Sequence, residues 1–404
     1  MTPPASVQCA IVGGGPGGVF LALLLARQGV EVALLEAHHD FDRDFRGDTV
    51  HPSTLELLDR VGLAREALAL PHARLHEMRI TAADGSWQVA DFRRLRTRFP
   101  FIALIPQARF LELLAGKVRR YPNAHVLMGA PATALLPEGG VEYSLGGEKR
   151  ALRAPLVVGA DGRFSRVRKL AGMELAKTSP PMDVCWLRLP RRESDPHDFS
   201  ILAGPGKFGV LLDRGADWQV GYVIAKGGYA RLKAEGIEAM RAGLLALAPW
   251  LADRAHLLTG FDQVTLLSVE SGMVPTWHKP GLLLIGDAAH VMTPVGGIGI
   301  SYAVQDAAAA ARIVAAPLRE GKLERRHLAE VQRRREWPAR LAQGFQRFVQ
   351  ANLIGASLEE KGGSFRLPLM GRVLLGVPLL RDLPGRFIAF GPQRETVPRE
   401  EWRG

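Results

Sequence analysis

Four short apolar runs punctuate this chain: residues 9–12 (Cys-Ala-Ile-Val), 32–35 (Val-Ala-Leu-Leu), 156–159 (Leu-Val-Val-Gly) and 282–285 (Leu-Leu-Leu-Ile). A run with no polar alternation is what a strand buried on both faces of a parallel sheet requires. Two of these runs lead into stretches with apolar residues at helical spacing, over 19–28 and 300–315, the second with almost no polar residue on one side. Elsewhere the pattern changes to alternation. Residues 73–98 alternate around an Asp84-Gly85 turn, which predicts a hairpin. Further strands are predicted over 184–189, 209–212, 218–224 and 264–269, with a helix over 237–251 among them. Strand–helix alternation over 1–70 and about 100–175, interrupted by sheet-rich stretches, predicts an α/β fold with an inserted sheet-rich unit.

The junctions between these runs carry the chemistry. Gly13-Gly-Gly15-Pro-Gly-Gly18 joins the first strand to its helix, and the second strand ends at Glu36. Gly-x-Gly-x-x-Gly between strand and helix, with an acid about twenty residues on, is the arrangement that dinucleotide binding requires. Gly13 permits the turn, Gly15 lets the backbone approach a pyrophosphate, and Gly18 lets helix and strand pack closely. Glu36 would accept hydrogen bonds from the adenosine ribose. At 281–301 a strand runs into a glycine-punctuated loop bearing Asp287, and a helix follows. Backbone N–H groups and a helix N-terminus there converge on one point, which suits an anion or a developing negative charge. The third junction, 156–168, ends its strand in Asp161-Gly162 and opens a helix with Ser165 and Arg168.

With the three segments in this order and spacing, residues 7–315 resemble the para-hydroxybenzoate hydroxylase-type flavoprotein monooxygenases, the single-component (class A) aromatic hydroxylases. The resemblance implies a Rossmann-like FAD-binding domain over 1–72, 99–175 and 279–320. It implies an inserted sheet-rich substrate domain over 73–98 and 176–278, and a helical C-terminal region over 321–404. The FAD contacts it implies are Gly13, Gly15, Gly18 and Glu36 at the adenosine half, and Gly286 and Asp287, the latter bonding the flavin ribityl chain. Pro294, Gly297 and Gly299 lie in the loop against the isoalloxazine pyrimidine edge. Asp161 belongs to a motif linked in the family to both FAD and NAD(P)H contacts. Arg46 matches an arginine placed against the FAD pyrophosphate, a contact suited to the guanidinium fork. Gln107 matches a glutamine that contacts the ribityl chain, and His51 falls near the flavin. Each of these three has a plainer alternative: an exposed loop arginine, a helix-start glutamine, a structural histidine. One departure is visible, because many family members carry Gln and Asn where this chain has Ile298 and Ser301. It bears on flavin orientation and substrate placing more than on cofactor binding.

The reaction so implied consumes NADPH or NADH, which binds transiently and reduces FAD. Dioxygen then gives a flavin C4a-hydroperoxide that hydroxylates an aromatic or polyketide-like small molecule. Pro294, Gly297 and Gly299, with His51 as a candidate, form the catalytic set. Backbone N–H groups around Gly297 and Gly299, with the following helix N-terminus, would stabilise negative charge on reduced flavin. Substrate contacts are expected from the sheet at Trp186, Arg188, Tyr222 and Met273, with packing as the alternative for each. Two rival functions stand beside this one: a flavin-dependent reductase or dehydrogenase of an apolar, isoprenoid-like substrate, and a non-catalytic FAD-binding protein.

Composition narrows the picture. At 404 residues the chain is long for one core. No apolar run approaches the roughly eighteen residues of a membrane span, and the N-terminus lacks the basic and apolar regions of a signal peptide. A cytoplasmic protein is therefore expected. Cys9 and Cys185 are expected to be free core thiols. No His/Cys/carboxylate cluster has metal spacing, and no nucleophile elbow or P-loop occurs, which leaves the chemistry to flavin. A single dinucleotide fingerprint disfavours a two-dinucleotide-domain reductase. The net charge of +11 suits a polyanionic nucleotide, and no nucleic-acid-binding motif accompanies it. Much of the excess lies late: 322–347 holds eight Lys or Arg against three Glu, and 333–340 reads as a solvated helix face. The tail, 362–394, is apolar with regularly spaced arginines. That pattern predicts either peripheral membrane contact or packing on its own domain or across a dimer; the oligomeric state is left as monomer or homodimer.

Overall fold

In the computed structural model, which describes residues 3–42, 48–82, 85–196, 200–358 and 381–398, the four apolar runs lie side by side. The strand order is His278–Lys279, Leu282–Leu284, Leu156–Gly159, Cys9–Val12, Val32–Leu35, Ala124–Leu127. All neighbours are parallel except the edge strand His278–Lys279. Burial on both faces explains the unbroken apolar runs. Cys9, Ile11, Val32, Leu34 and Val158 share a core with the helices Pro16–Arg27, Gln107–Val118 and Gly299–Arg319. Ala10, Val12, Ala33, Leu35 and Val157 pack on the other side against Val141, Tyr143 and Leu152. Those three come from an antiparallel meander, Ala132–Leu135, Gly140–Leu145 and Glu148–Arg153. The alternation expected over 100–175 is corrected here: only one face of the meander is buried, and Glu148–Arg153 is largely exposed, so its apolar signal is weak.

The second large sheet has seven strands, in the order Thr265–Leu267, Met182–Pro190, Asp217–Ala225, Lys207–Asp213, Ser200–Gly204, Glu77–Ala82, Gly85–Asp91. The expected hairpin and the strands after residue 182 thus share one sheet. Ser200–Gly204 pairs with Glu77–Ala82 in parallel, and the remaining pairs are antiparallel. Ala73–Leu75 instead joins Ile102–Leu104 and Thr49–Val50 in a small sheet. One face of the seven-stranded sheet, carrying Cys185, Leu187 and Tyr222, is covered by the helix Ile237–Leu247. The other face presents Val184, Trp186, Phe208 and Val210 toward Val295 and Ile354.

The helix Arg325–Val349 continues into a π-helical turn, Gln350–Gly355. Its buried stripe is Leu328, Val331, Gln332, Arg335, Ala339, Ala342, Gln343 and Gln346. The expectation of a solvated face over 333–340 is therefore corrected, since Arg335 is fully buried. Of the tail, 362–380 lies outside the described residues. The helix Leu383–Phe390 buries Gly385, Ile388, Ala389 and Phe390, packing on Gly85–Asp91 and on the helix Pro52–Arg60. Both cysteines are free and buried.

Candidate cofactor and active site

At the carboxyl edge of the parallel sheet the first glycine turn is tightly built. Gly13 has φ +110°, and a Cβ there would lie 2.5 Å from the Ala160 carbonyl oxygen. A Cβ on Gly18 would collide with the Gly13 carbonyl. Gly15 differs, because the nearest atom to a Cβ there would be 3.9 Å away, leaving room for a ligand against the backbone. The helix that follows has no side-chain cap. Its Val19 N–H donates to Gly15 O at 3.0 Å, so the preceding Gly17 and Gly18 N–H groups have no intrahelical acceptor. Glu36 is buried and takes the Gly14 N–H at 2.7 Å and the His38 N–H at 2.9 Å. A carboxylate has further lone pairs, and these suit ribose hydroxyls.

The second and third junctions are tied together by Arg168. This nearly buried guanidinium donates to Ala288 O at 2.9 Å and to Arg163 O at 2.8 Å. Burial lowers its pKa, and the Asp161, Asp287 and Glu270 carboxylates counter that. Asp161 itself accepts from Ser165 Oγ, from Arg166 N at 2.6 Å and from Val167 N at 3.0 Å. Its Oδ2 thus takes the first two N–H groups of the helix Arg166–Leu170, while Oδ1 holds the capping Ser165 hydroxyl, and together they fix the turn that presents Arg168. Gly286, at φ +58°, donates its N–H to Asp306 Oδ2 at 3.0 Å, and Asp287 beside it is half-buried.

The late loop narrows the expected donor set. Gly297 N–H donates to Pro294 O at 3.0 Å and is taken up by that turn. Gly297 O accepts from Thr49 Oγ1 at 2.7 Å and lies 3.1 Å from His51 Nε2. The helix Gly299–Arg319 has no side-chain cap, and its Tyr302 N–H donates to Ile298 O at 3.1 Å. The N–H groups of Gly299, Ile300 and Ser301 are therefore its open end, and a Cβ on Gly299 would meet nothing within 4 Å. Ile298 is buried in the core, and the Ser301 hydroxyl lies 3.2 Å from Thr54 Oγ1. Both departures from the family pattern are thus absorbed into packing.

His51 is fully buried, with Nδ1 2.9 Å from Ile388 O in addition to its Gly297 contact. Burial pushes its pKa down to about 4. Both ring nitrogens face backbone carbonyls, those of Ile388 and Gly297.

Among the expected substrate residues, Trp186 is half-buried on the inner face, with Val210 and Val295 in its cluster. Arg188, two residues on, shares that face but is exposed. Tyr222 pairs with Cys185 on the opposite face, and a Cβ on Gly243 of the covering helix would collide with its hydroxyl. Strand alternation thus places Tyr222 on the face opposite Trp186, beneath the helix Ile237–Leu247. Met273 is buried in the strand Ser271–Met273, beside His290–Val291. Gln107 is half-buried at its helix start, and its N–H donates to Asp48 Oδ1 at 3.1 Å. Arg46 lies outside the described residues.

Three contributions escaped the sequence reading. Arg214, at the tip of the hairpin formed by Lys207–Asp213 and Asp217–Ala225, forms an ion pair with Asp48 next to Gln107. Burial lowers its pKa to about 10, so it stays charged near neutral pH. An arginine in a polar turn carries no periodic signal that would single it out. Gln343 donates to Gly272 O and Val291 O at 2.8 and 3.0 Å, and Gln346 to Thr293 O and Val295 O at 2.9 Å each. Gln343 thus joins the paired strands Ser271–Met273 and His290–Val291, and Gln346 satisfies the irregular loop that follows them. Asp306, His290 and Arg335 form a buried cluster behind Gly286: Asp306 accepts from His290 Nε2 at 2.6 Å and from Arg335 Nε at 2.8 Å. Burial works to raise the Asp306 pKa, but His290 and Arg335 overcome it and hold the carboxyl below the usual range.

Two uncapped helix N-termini at the carboxyl edge of one sheet, space beside Gly15 and Gly299, and a ribose-type acceptor at Glu36 fit a flavin dinucleotide. Comparison with known proteins agrees. A family model described as an FAD binding domain matches residues 6–344. The chain is 35% identical over 348 residues to 6-methylpretetramide 4-monooxygenase of Streptomyces rimosus, covering 82% of each chain. It is 26% identical over 339 residues to digeranylgeranylglycerophospholipid reductase of Methanocella arvoryzae, covering 79% of this chain and 80% of the relative. In fold it matches the crystal structure of p-nitrophenol 4-monooxygenase from Pseudomonas putida DLL-E4, with a TM-score of 0.77 at 21% identity, over 96% of this chain and all of that one.

Proposed function

From the premise that this chain belongs to the FAD-binding-domain family and is an FAD-dependent monooxygenase, we propose that it hydroxylates an aromatic, polyketide-type small molecule using NADPH or NADH and dioxygen. The observation that carries the substrate class is the 35% identity over four-fifths of its length to a relative named for acting on 6-methylpretetramide. Bound FAD supplies the electron transfer from the nicotinamide and the activation of dioxygen. The chain's own residues then have separable tasks. Gly13, Gly15, Gly18 and Glu36 receive the adenosine half, and Asp287, Gln107 and Arg46 receive the ribityl chain and pyrophosphate. The open N–H groups of Gly299, Ile300 and Ser301 stabilise negative charge on the reduced ring. Pro294 and Gly297 shape the loop that brings them there. Trp186 and Arg188 face the substrate, and the seven-stranded sheet acts as the substrate domain inserted into the FAD-binding domain.

The reductase reading is favoured by one observation, the 26% identity to a named lipid reductase. The two are separated by incubating the holoprotein with NADPH or NADH, 18O2 and a panel of polyphenolic polyketides. A product carrying one labelled oxygen atom is expected. A hydrogenated, unlabelled product would transfer the assignment to a reductase, and flavin that neither nucleotide reduces would make the protein non-catalytic.

We also propose a cytoplasmic location and peripheral membrane contact through the C-terminal segment 362–394. No helix among the described residues is long and apolar enough to cross a membrane, while Trp337, Leu341, Phe348 and Leu383 are exposed. Flotation with anionic liposomes tests the contact, and protein left wholly at the bottom of the gradient removes it. Whether the enzyme acts as a monomer or homodimer is read from light scattering in the same buffer.

A further inference from the structure

We propose that the C-terminal segment 383–397 is part of the cofactor site, and that Glu395 and His51 are positioning residues that hold the two ends of the flavin loop. The proposal rests on the reading of 286–299 as that loop. Its first end is reached through buried charges. The Glu395 side chain is fully buried and accepts from Arg334 Nε at 2.8 and 2.9 Å. Arg335 Nη1 lies 3.5 Å from Glu395 Oε1, and Arg312 Nη2 lies 3.4 Å from Oε2. Arg335 in turn donates to Asp306, whose other oxygen takes the Gly286 N–H. Without Glu395, Arg334 and Arg312 would lose the carboxylate they share and the fully buried Arg335 would be left with Asp306 alone, and a buried pair that loses a partner is strongly destabilised.

The second end is reached through the tail's backbone. Ile388 O and Gly297 O face the two nitrogens of His51, at 2.9 and 3.1 Å. A neutral imidazole has one N–H, and Gly297 O already has the Thr49 hydroxyl at 2.7 Å. The His51 proton therefore sits on Nδ1 and is donated to Ile388 O, while Thr49, two residues before it, donates to Gly297 O, so the short segment Thr49–His51 joins tail and loop. The tail is fixed at its outer side by Arg60 donating to Val397 O at 3.3 Å and by Arg394, whose Nη1 lies 3.6 Å from Glu56 Oε2. Two independent routes thus connect one C-terminal segment to the Gly286 and Gly297 ends of the loop.

Restraint and binding are reciprocal, so amide hydrogen exchange over 383–397 in the full chain, with and without FAD, tests the proposal. FAD is expected to slow exchange there about tenfold more than in the outer helix Ile237–Leu247, the size of a typical coupling. Glu395→Gln is expected to raise the FAD Kd about tenfold and to shift the flavin spectrum and midpoint potential, with Glu395→Asp recovering most of both. If Glu395→Gln yields no folded protein, Glu395→Asp and the exchange experiment decide. Equal protection of the two segments overturns the proposal. So does a Glu395→Gln apoprotein that melts lower while FAD affinity, spectrum and potential stay as in wild type. Asp287→Ala separates the two readings. FAD binding weakened about ten- to hundredfold, the loss of a charge-assisted hydrogen bond, upholds the loop as the cofactor site whatever the tail does. Unchanged affinity removes that reading and this proposal with it.

Discussion

Two glycines of one motif do different work, and the difference can be measured. Gly15 has an ordinary backbone conformation, φ −73° and ψ 178°, and open space where its side chain would be, whereas Gly18 is pressed against the Gly13 carbonyl. Gly15→Ala is therefore expected to leave the melting temperature of the apoprotein close to wild type while reducing FAD affinity at least about tenfold. Gly18→Ala is expected to destabilise the apoprotein by about 3 kcal/mol, the upper end for overpacking a tight site. Matched thermal melts and FAD titrations check both, and equal melting losses would remove the distinction. Spacing identified both glycines, because the motif is local. The carbonyls around His51 were not legible, since Gly297 and Ile388 come from other parts of the fold.

At the scale of elements, alternation along Met182–Pro190 and Asp217–Ala225 divides the large sheet into a core face and a face toward the late loop. Sequence identified these strands, but a period of two does not say which face meets what. Trp186 and Tyr222 looked equivalent for that reason. Trp186→Ala is expected to raise the KM for the aromatic substrate about tenfold, in line with loss of a stacked aromatic contact and its buried area. Tyr222→Phe is expected to leave KM and kcat unchanged, and steady-state kinetics on the two variants decide the matter. A Tyr222→Phe variant with raised KM would put the substrate on the wrong side of the sheet. The helix Arg325–Val349 makes the same point from the other direction. Its arginines suggested a solvated face, whereas Gln332, Gln343 and Gln346 are buried against backbone and Arg335 against the Asp306 and Glu395 carboxylates. Polar residues on a helix look solvated until the carbonyls they serve are known.

Across the whole molecule, the loop 286–299 is enclosed by the first helices, the long C-terminal helix and the tail, and this couples stability to pH. His51 has an unfolded-state pKa near 6.5 and a folded one near 4 because burial disfavours its charged form. Below 6.5 the unfolded chain binds the proton first, so stability is full above that pH and falls as pH drops toward 4. The loss is about 3 kcal/mol for a shift of this size. Urea unfolding at pH 7 and 4.5 should therefore show wild type losing more stability than His51→Asn, and parallel losses would contradict the burial argument. The sequence by itself determined the parallel strands, the three glycine- and acid-bearing junctions, the cofactor class and the sheet-rich insertion. Each of these is encoded over a few neighbouring residues through period, turn chemistry or spacing. Only the tertiary structure decided that Arg168 ties two junctions together, that Asp306 and Arg335 stand behind Gly286, that Arg214 crosses to Asp48, and that the tail closes on the loop. Those partners lie 29 to 337 residues apart in sequence, and no local pattern specifies what a buried charge or carbonyl meets after the chain has folded.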